Sequence, residues 1–319
     1  MENLQLPSPI EITEAQVRIN PHIHKTPVLT SDALNKMLGI EIFFKCENFQ
    51  KVGAFKIRGA LNAVLAMTKD DLKYGIATHS SGNHAQAIAL AAKMVGAKAY
   101  IVMPENCPKI KIDAVKGYGA EIILCEPTLK AREREVNKIV EKTNAEFIHP
   151  YNDYRVITGQ ATCAKELLNE QSDVDAIFAP VGGGGLISGT ALSAQYFSKN
   201  TAVFGAEPEG AQDAFLSFKS GKIEPAPFIK TIADGLMATL GDKTFSIIQQ
   251  YVKDIYTVSD EEIISAMRLL WERMKIVIEP SGAVSFAALF KNKEHFKGKK
   301  VGIILTGGNV DLGMMKEWF

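Results

Sequence analysis

From Gly75 to Pro150 the chain alternates short runs of apolar and β-branched residues with longer stretches whose apolar positions recur at helical spacing. The strand-like runs are "GIATHS", "KAYIVMP", "AEIILCE" and "AEFIHP". Between them lie "NHAQAIALAAKMVG", "PKIKIDAVKGYG" and "LKAREREVNKIVEKTN", each ending near glycine or asparagine. Short apolar runs, each followed by a helix, predict βαβ units and a parallel sheet. The pattern resumes with a helix over "GQATCAKELLNE", a strand over "DAIFAPV", a helix over "LISGTALSAQYF" and a strand over "AVFGAE". Later come the strand "DIYTV", the helix "SDEEIISAMRLLWERM" and the strand "KVGIIL". The expected fold is α/β with two open parallel-sheet lobes. Residues 75–150 form a small lobe inserted into a larger one made of residues 1–70 and 151–319. In such sheets ligands bind outside the carboxyl ends of the strands, which places them in the cleft between the lobes.

Composition narrows the function classes. The 319 residues are 46% hydrophobic, ordinary for a globular protein and long enough for two lobes. Lys plus Arg and Asp plus Glu both number 36, so no net field draws the whole surface to nucleic acid or to an acidic membrane. The apolar stretch "AIALAAKMVGAKAYIVM" is broken by Lys93, Gly96 and Lys98 and does not read as a membrane span. The start "MENLQLPSPI" lacks the basic residues and apolar run of a secretory signal. Cys46, Cys107, Cys125 and Cys163 are scattered without CxxC pairing, which points away from disulfides or zinc and toward a reducing, cytoplasmic location.

Four loops carry the candidate chemistry. In "APVGGGGLISGTAL" a buried strand ends at Val181, glycines 182–185 follow, and a helix begins near Leu186. Glycines let successive N–H groups approach an anion, and the helix start adds a favourable dipole, so a phosphate is expected there. The loop lacks the GxGxxG spacing of a dinucleotide site. In "THSSGNHAQA" a strand end runs straight into a helix through Ser80, Ser81, Gly82 and Asn83. Capping explains one or two of these; a helix start with spare donors also suits the carboxylate of an amino acid. His84 belongs to the same turn. In "ILTGGNVD" Thr306 ends the last strand, and in "GAEPEGAQDAF" Glu207 and Asp213 flank the Ala211 carbonyl, a set that could hold a hard cation. Finally "GAFKIRGA" sets Lys56 between Phe55 and Ile57, where partial desolvation would lower its pKa and yield a neutral amine. Arg58 is expected to assist by adjacent like charge.

Taken in order, "FFKCENFQKVGAFKIRGALNAV", "SSGNHAQA", "VGGGGLISG", "TIADG", "LLWERMK" and "GGNVDL" resemble the fold-type II pyridoxal phosphate enzymes, the tryptophan synthase beta-like architecture. The match is to the serine racemase and serine/threonine dehydratase family and covers nearly the whole chain. The resemblance implies pyridoxal 5'-phosphate in the inter-lobe cleft, with Lys56 as the amine that bonds its aldehyde. It further implies Phe55 near the ring, Asn83 at the ring oxygen, and Gly182, Gly183, Gly184, Gly185 and Leu186 around the phosphate. Gly235 would lie nearby, and Thr306 would replace the usual serine at the ring nitrogen. A hydroxyl there donates without forcing protonation of the ring.

The same resemblance implies a free amino acid substrate held by Ser80, Ser81, Gly82, Asn83, His84 and Arg132. Lys56 would remove the α-proton. Loss of the β-hydroxyl would then lead to a keto acid and ammonia, whereas proton return from Ser81 on the opposite face would give the D-enantiomer. Glu207, Ala211 and Asp213 match the divalent-cation site of the racemase branch, for Mg2+ or alternatively Ca2+ or Mn2+. A homodimer is expected. Lys51, Gln86, Tyr118 and Lys275 match a nucleotide site known in animal members, but Val52 does not, so ATP is a possible effector only.

Val52, Ala54, Ala85 and Ala238 also depart from the family's usual residues, leaving the side-chain pocket open. The expected activity is a cation-dependent serine racemase with L-serine dehydratase activity. The alternative is an ammonia-lyase for L-threonine or 3-hydroxyaspartate with little racemisation. A non-catalytic sensor on the same fold could dispense with Lys56 or Ser81, and both are present.

Overall fold

The computed structural model describes residues 6–319. Ten strands form two sheets: β1 (Val28–Leu29), β2 (Glu41–Cys46), β3 (Ile76–His79), β4 (Ala99–Pro104), β5 (Glu121–Cys125), β6 (Glu146–Phe147), β7 (Ala176–Pro180), β8 (Ala202–Pro208), β9 (Asp254–Val258) and β10 (Lys300–Leu305). The larger sheet has the order β1-β2-β10-β7-β8-β9 and the smaller β5-β4-β3-β6. All pairs are parallel except the short edge strand β1 on β2. Every strand of the smaller sheet lies between residues 76 and 147, and the strands of the larger sheet come from both sides of that stretch. The chain is thus an α/β protein of two open, mainly parallel sheets.

Helices cover both faces of each sheet, as the near-continuous apolar strands require. One core of the larger sheet joins Phe44, Phe178 and Ile303 to Met267, Leu270 and Phe286. The opposite face packs Ile177 and Ile304 on Ile157, Leu167, Ile187 and Leu192. The smaller sheet buries Ile76 and Ile101 against Ile57, Leu61 and Ile88, and Ala77 and Val102 against Ala131 and Val136. Helices over the predicted segments end where glycine or asparagine turns left-handed, at Gly96 (φ 70°) and Asn144 (φ 58°).

The sequence pattern did not single out the helix Pro280–Lys291. Residues 280–289 are all buried, so this helix has no polar face to give it a period. Its N-terminus lies among the carboxyl ends of the larger sheet, where the Glu279 N–H donates to the Gly307 carbonyl (3.0 Å) just beyond β10.

Candidate active site

Lys56 opens the helix Lys56–Leu65, and the loop before it is zipped to the loop after β10. Ala54 bridges Gly307, the Phe55 N–H donates to the Thr306 carbonyl (3.0 Å), and the Gly308 N–H donates to the Gly53 carbonyl (3.0 Å). The Lys56 Nζ has one hydrogen-bond partner among the described residues, the Pro150 carbonyl at 3.3 Å, and lies 5.1 Å from the Phe55 ring centroid. Lys56 keeps part of its surface accessible, but the atoms crowding its amine strip it of water. Desolvation pushes its pKa down to about 8.

Arg58 does not act as expected. It is fully buried, pairing with Glu47 (2.7 Å) and Glu166 (2.8 Å), and its pKa is held above the ordinary value despite burial. Its charge is neutralised within this network, so the lowered pKa of Lys56 comes from burial alone.

The tetraglycine turn follows β7 and leads into the helix Gly185–Phe197. Glycine is required twice. Gly184 has φ 88°, and a Cβ on Gly183 would overlap the Tyr151 ring. Gly182 to Leu186 are buried, and their five amides have no acceptor among the described residues. Buried N–H groups left open at a helix start form an anion cradle, a fit for a phosphate group. Gly182 abuts Leu236 and the Gly235 carbonyl, and the Gly235 N–H donates to Ser281 Oγ (3.0 Å).

The loop after β3 starts the helix Asn83–Val95, but the expected side-chain cap is not there: Gly82 takes the N-cap position and no serine or asparagine side chain accepts from the first-turn amides. Asn83 Nδ2 donates to Glu279 Oε1 (2.9 Å), while its Oδ1 accepts from Asn309 Nδ2 (2.8 Å). Asn309 also donates to the Val52 carbonyl (2.7 Å). One hydrogen of Asn83 Nδ2 is therefore still available to a ligand. Ser80 Oγ accepts from the Gly82 N–H (3.3 Å), and the Ser81 carbonyl accepts from Cys107 Sγ (3.7 Å). The Ser81 hydroxyl makes no hydrogen bond among the described residues. Thr306 is buried, and its carbonyl receives the Phe55 amide.

These contacts close a ring: Lys56 to Pro150 and Tyr151, Tyr151 to Gly183, Gly182 to Gly235, Gly235 to Ser281, and from neighbouring Glu279 through Asn83 and Asn309 back to the loop before Lys56. Five expected segments meet there, as do residues that sequence reasoning missed: His149, Pro150, Tyr151, Glu279, Ser281 and Asn309. Asn309 lay inside a motif already singled out. Glu279 precedes Pro280 in "IEPSGA", an acid-proline start that can mark a helix.

Titration in the site is governed by burial. Glu279 is pushed up to about 8, mainly by desolvation and then by the charge of Asp234. His79 and His149 are pushed down to about 4, and burial also holds His84, with neither ring nitrogen hydrogen-bonded, well below the ordinary imidazole value. These imidazoles are neutral near pH 7. Arg132 stands on the helix Leu129–Thr143, half-buried, with its Nε buried and unpaired, and its charge reaches His79 and Tyr151.

The acidic loop lies behind the glycine turn, outside the ring. Glu207 accepts from the Ala214 and Phe215 N–H groups (3.0 and 2.8 Å), and Asp213 accepts from the Leu240 N–H (3.2 Å). A Cβ on Gly184 would touch Leu240, which puts this loop against the phosphate cradle. Burial raises both carboxyls, Asp213 to about 6, and the Asp213 charge raises Glu207 further. Neither pairs with a basic side chain among the described residues. The described residues hold no cluster of three or more His, Cys, Asp or Glu side chains able to bind a metal. The candidate set is two carboxylates and the Ala211 carbonyl.

The four cysteines are free and buried. No helix among the described residues is long and apolar enough to cross a membrane.

A family model described as "Pyridoxal-phosphate dependent enzyme" matches residues 19–307. A beta-hydroxyaspartate dehydratase of Paracoccus denitrificans is 49% identical over 97% of this chain and 98% of its own length. A serine racemase of Dictyostelium discoideum is 47% identical over 96% of each chain. The solved structure of maize serine racemase superposes with a TM-score of 0.94 at 45% identity, covering 97% of this chain and 95% of the other.

Proposed function

The chain belongs to the family of pyridoxal-phosphate-dependent enzymes, and from that premise we propose that it is a serine racemase that also dehydrates L-serine, activated by a divalent cation. The observation that carries this reading is the closed ring holding the Lys56 amine, its pKa lowered to about 8, beside the open amides of the glycine turn.

Gly182, Gly183, Gly184, Gly185 and Leu186 would hold the cofactor phosphate, Thr306 the ring nitrogen, Asn83 the ring oxygen, and Lys56 the aldehyde, with Phe55 alongside. When bound, pyridoxal phosphate supplies an electron sink that acidifies the α C–H of an amino acid. The chain's own groups do the rest. Ser80, Ser81, Gly82, Asn83 and the helix start bind and orient the substrate carboxylate, and His84 beneath them keeps the turn dry as a neutral imidazole. Lys56 Nζ takes the α-proton. Its lone pair is free because Pro150 is engaged through an N–H. The Ser81 hydroxyl, free of protein partners, returns a proton from the other face and gives the D-enantiomer. Departure of the β-hydroxyl instead leads to pyruvate and ammonia.

Glu207, the Ala211 carbonyl and Asp213 are the proposed Mg2+ (or Ca2+ or Mn2+) ligands: buried carboxylates without a basic partner call for a cation. A homodimer is the proposed assembly. The free thiols suit the cytoplasm. ATP as an effector is tested by its addition to the assay below.

A second reading, an ammonia-lyase for 3-hydroxyaspartate or L-threonine, is favoured by the unpaired Arg132 Nε, which could receive a second substrate carboxylate. The likeness to the Paracoccus dehydratase points the same way. One assay separates the two: D-serine and pyruvate are followed from L-serine with and without Mg2+ and chelator, then L-threonine and 3-hydroxyaspartate are compared. The first reading expects D-serine; its absence from active protein selects the second. Ser81→Ala is expected to abolish racemisation and keep part of the elimination, while Lys56→Ala abolishes both.

A further inference from the structure

The peptide between Pro150 and Tyr151 carries two hydrogen bonds on opposite edges. Its carbonyl accepts from Lys56 Nζ (3.3 Å), and its N–H donates to His149 Nδ1 (3.3 Å). His149 Nδ1 also accepts from the Asn152 N–H (2.9 Å). A trans peptide is planar, with C=O and N–H pointing oppositely, so fixing the N–H fixes the direction of the carbonyl. Pro150 has no N–H of its own with which to brace the turn. The imidazole is itself held, edge-on to Tyr151 (centroids 4.5 Å apart), to His79 (5.8 Å) and to Phe147 (5.9 Å). The residue before it is pinned to β3: the Ile148 N–H donates to the Ala77 carbonyl (3.0 Å), and Thr78 Oγ1 donates to the Ile148 carbonyl (2.8 Å).

We propose that His149 is a positioning residue: its imidazole, acting through the Pro150–Tyr151 peptide plane, aims the carbonyl that holds the Lys56 amine. The functional half of this inference rests on the reading of Lys56 as the proton carrier; the structural half does not. Accepting two N–H groups at Nδ1 requires a neutral ring with its proton on Nε2, and burial keeps the imidazole neutral at pH 7. The same turn places the Tyr151 ring over Gly183, so one side chain sets both the amine and a wall of the phosphate cradle.

Three full-length variants test this. His149→Asn keeps an acceptor at the position of Nδ1, His149→Phe keeps the ring without an acceptor, and His149→Gln carries the acceptor one methylene too far out. Amide hydrogen exchange at Tyr151 and Asn152, read on cofactor-loaded protein without substrate, is expected to stay within about threefold of wild type in His149→Asn. In His149→Phe and His149→Gln it is expected to accelerate at least about tenfold. Turnover of whichever β-hydroxy amino acid the wild type consumes is expected to follow. kcat falls by roughly 30-fold or more in Phe and Gln with KM little changed, while Asn stays within about threefold, since a small misplacement of a reacting group can cost up to about 100-fold. Equal losses in all three variants, or wild-type exchange in His149→Phe, would overturn the proposal. Failure of wild type to use L-serine would remove the racemase reading alone, because the exchange measurement needs no substrate. Should His149→Phe not fold, the comparison of Gln with Asn decides.

Discussion

Lys56 and Glu279 show one rule acting on opposite charges. Burial penalises the ionised form of each, so the amine falls to about 8 and the carboxyl rises to about 8. Near pH 7 Glu279 is mostly protonated, and Asn83 donates to its carbonyl oxygen. Its folded pKa lies above the unfolded value of 4.5, so the folded state binds the extra proton between these two values. Glu279 therefore stabilises fully below about 4.5, and that contribution is lost as pH rises through about 8. Glu279→Gln is expected to flatten the fall of Tm between pH 5 and 8 relative to wild type. His79 and His149 act with the opposite sign in both proteins, their depressed values favouring the fold as pH rises above about 4, and they cancel in the difference. An unchanged slope would show that Glu279 ionises freely. At Glu207 and Asp213 the raised carboxyls must lose protons to ligate a cation. Mg2+ is thus expected to raise Tm more at pH 8 than at pH 5, and Glu207→Gln to remove most of that rise.

At the scale of the element, the helix that begins at Lys56 is anchored by charges. Lys45, Glu166, Arg58 and Glu47 form a buried chain of two cations and two anions joining β2 to the helices Lys56–Leu65 and Tyr154–Glu170. Thr162 Oγ1 accepts from Arg58 (3.1 Å), and Lys45 also donates to the Thr26 carbonyl (2.7 Å). Removing one member leaves an uncompensated buried charge, so Glu166→Gln should cost about 3 to 5 kcal/mol in urea unfolding. Glu135→Gln, which breaks only surface pairs with Arg134 and Lys138 on the helix Leu129–Thr143, should leave the urea midpoint nearly unchanged. The sequence displayed Arg58 two residues after Lys56 and suggested direct help. Which carboxylates surround it, 11 and 108 positions away, follows from packing alone.

Across the whole molecule, Lys111 pairs with Asp234 and ties the smaller sheet's side of the cleft to the larger's. Both ends are partly exposed, so the pair adds little stability. It bridges the cleft next to the ring through Gly235. Lys111→Ala is expected to shift unfolding by less than about 1 kcal/mol while raising KM for the amino acid substrate. A KM equal to wild type would show that the pair does not bear on closure of the cleft.

The alternation of strands and helices across residues 75–208, the glycine turn and the strand-to-helix loop over residues 80–83 were legible in the sequence, because periodicity and turn chemistry are local properties of the chain. Tertiary structure alone decided the raised carboxyl of Glu279, the depressed imidazoles, the neutralisation of Arg58 and the ring of contacts around Lys56. Burial and charge pairing depend on residues distant in sequence. The helix Pro280–Lys291, with its companion Glu279, stayed hidden for the same reason: an element buried on every side carries no pattern, and only its neighbours reveal what it does.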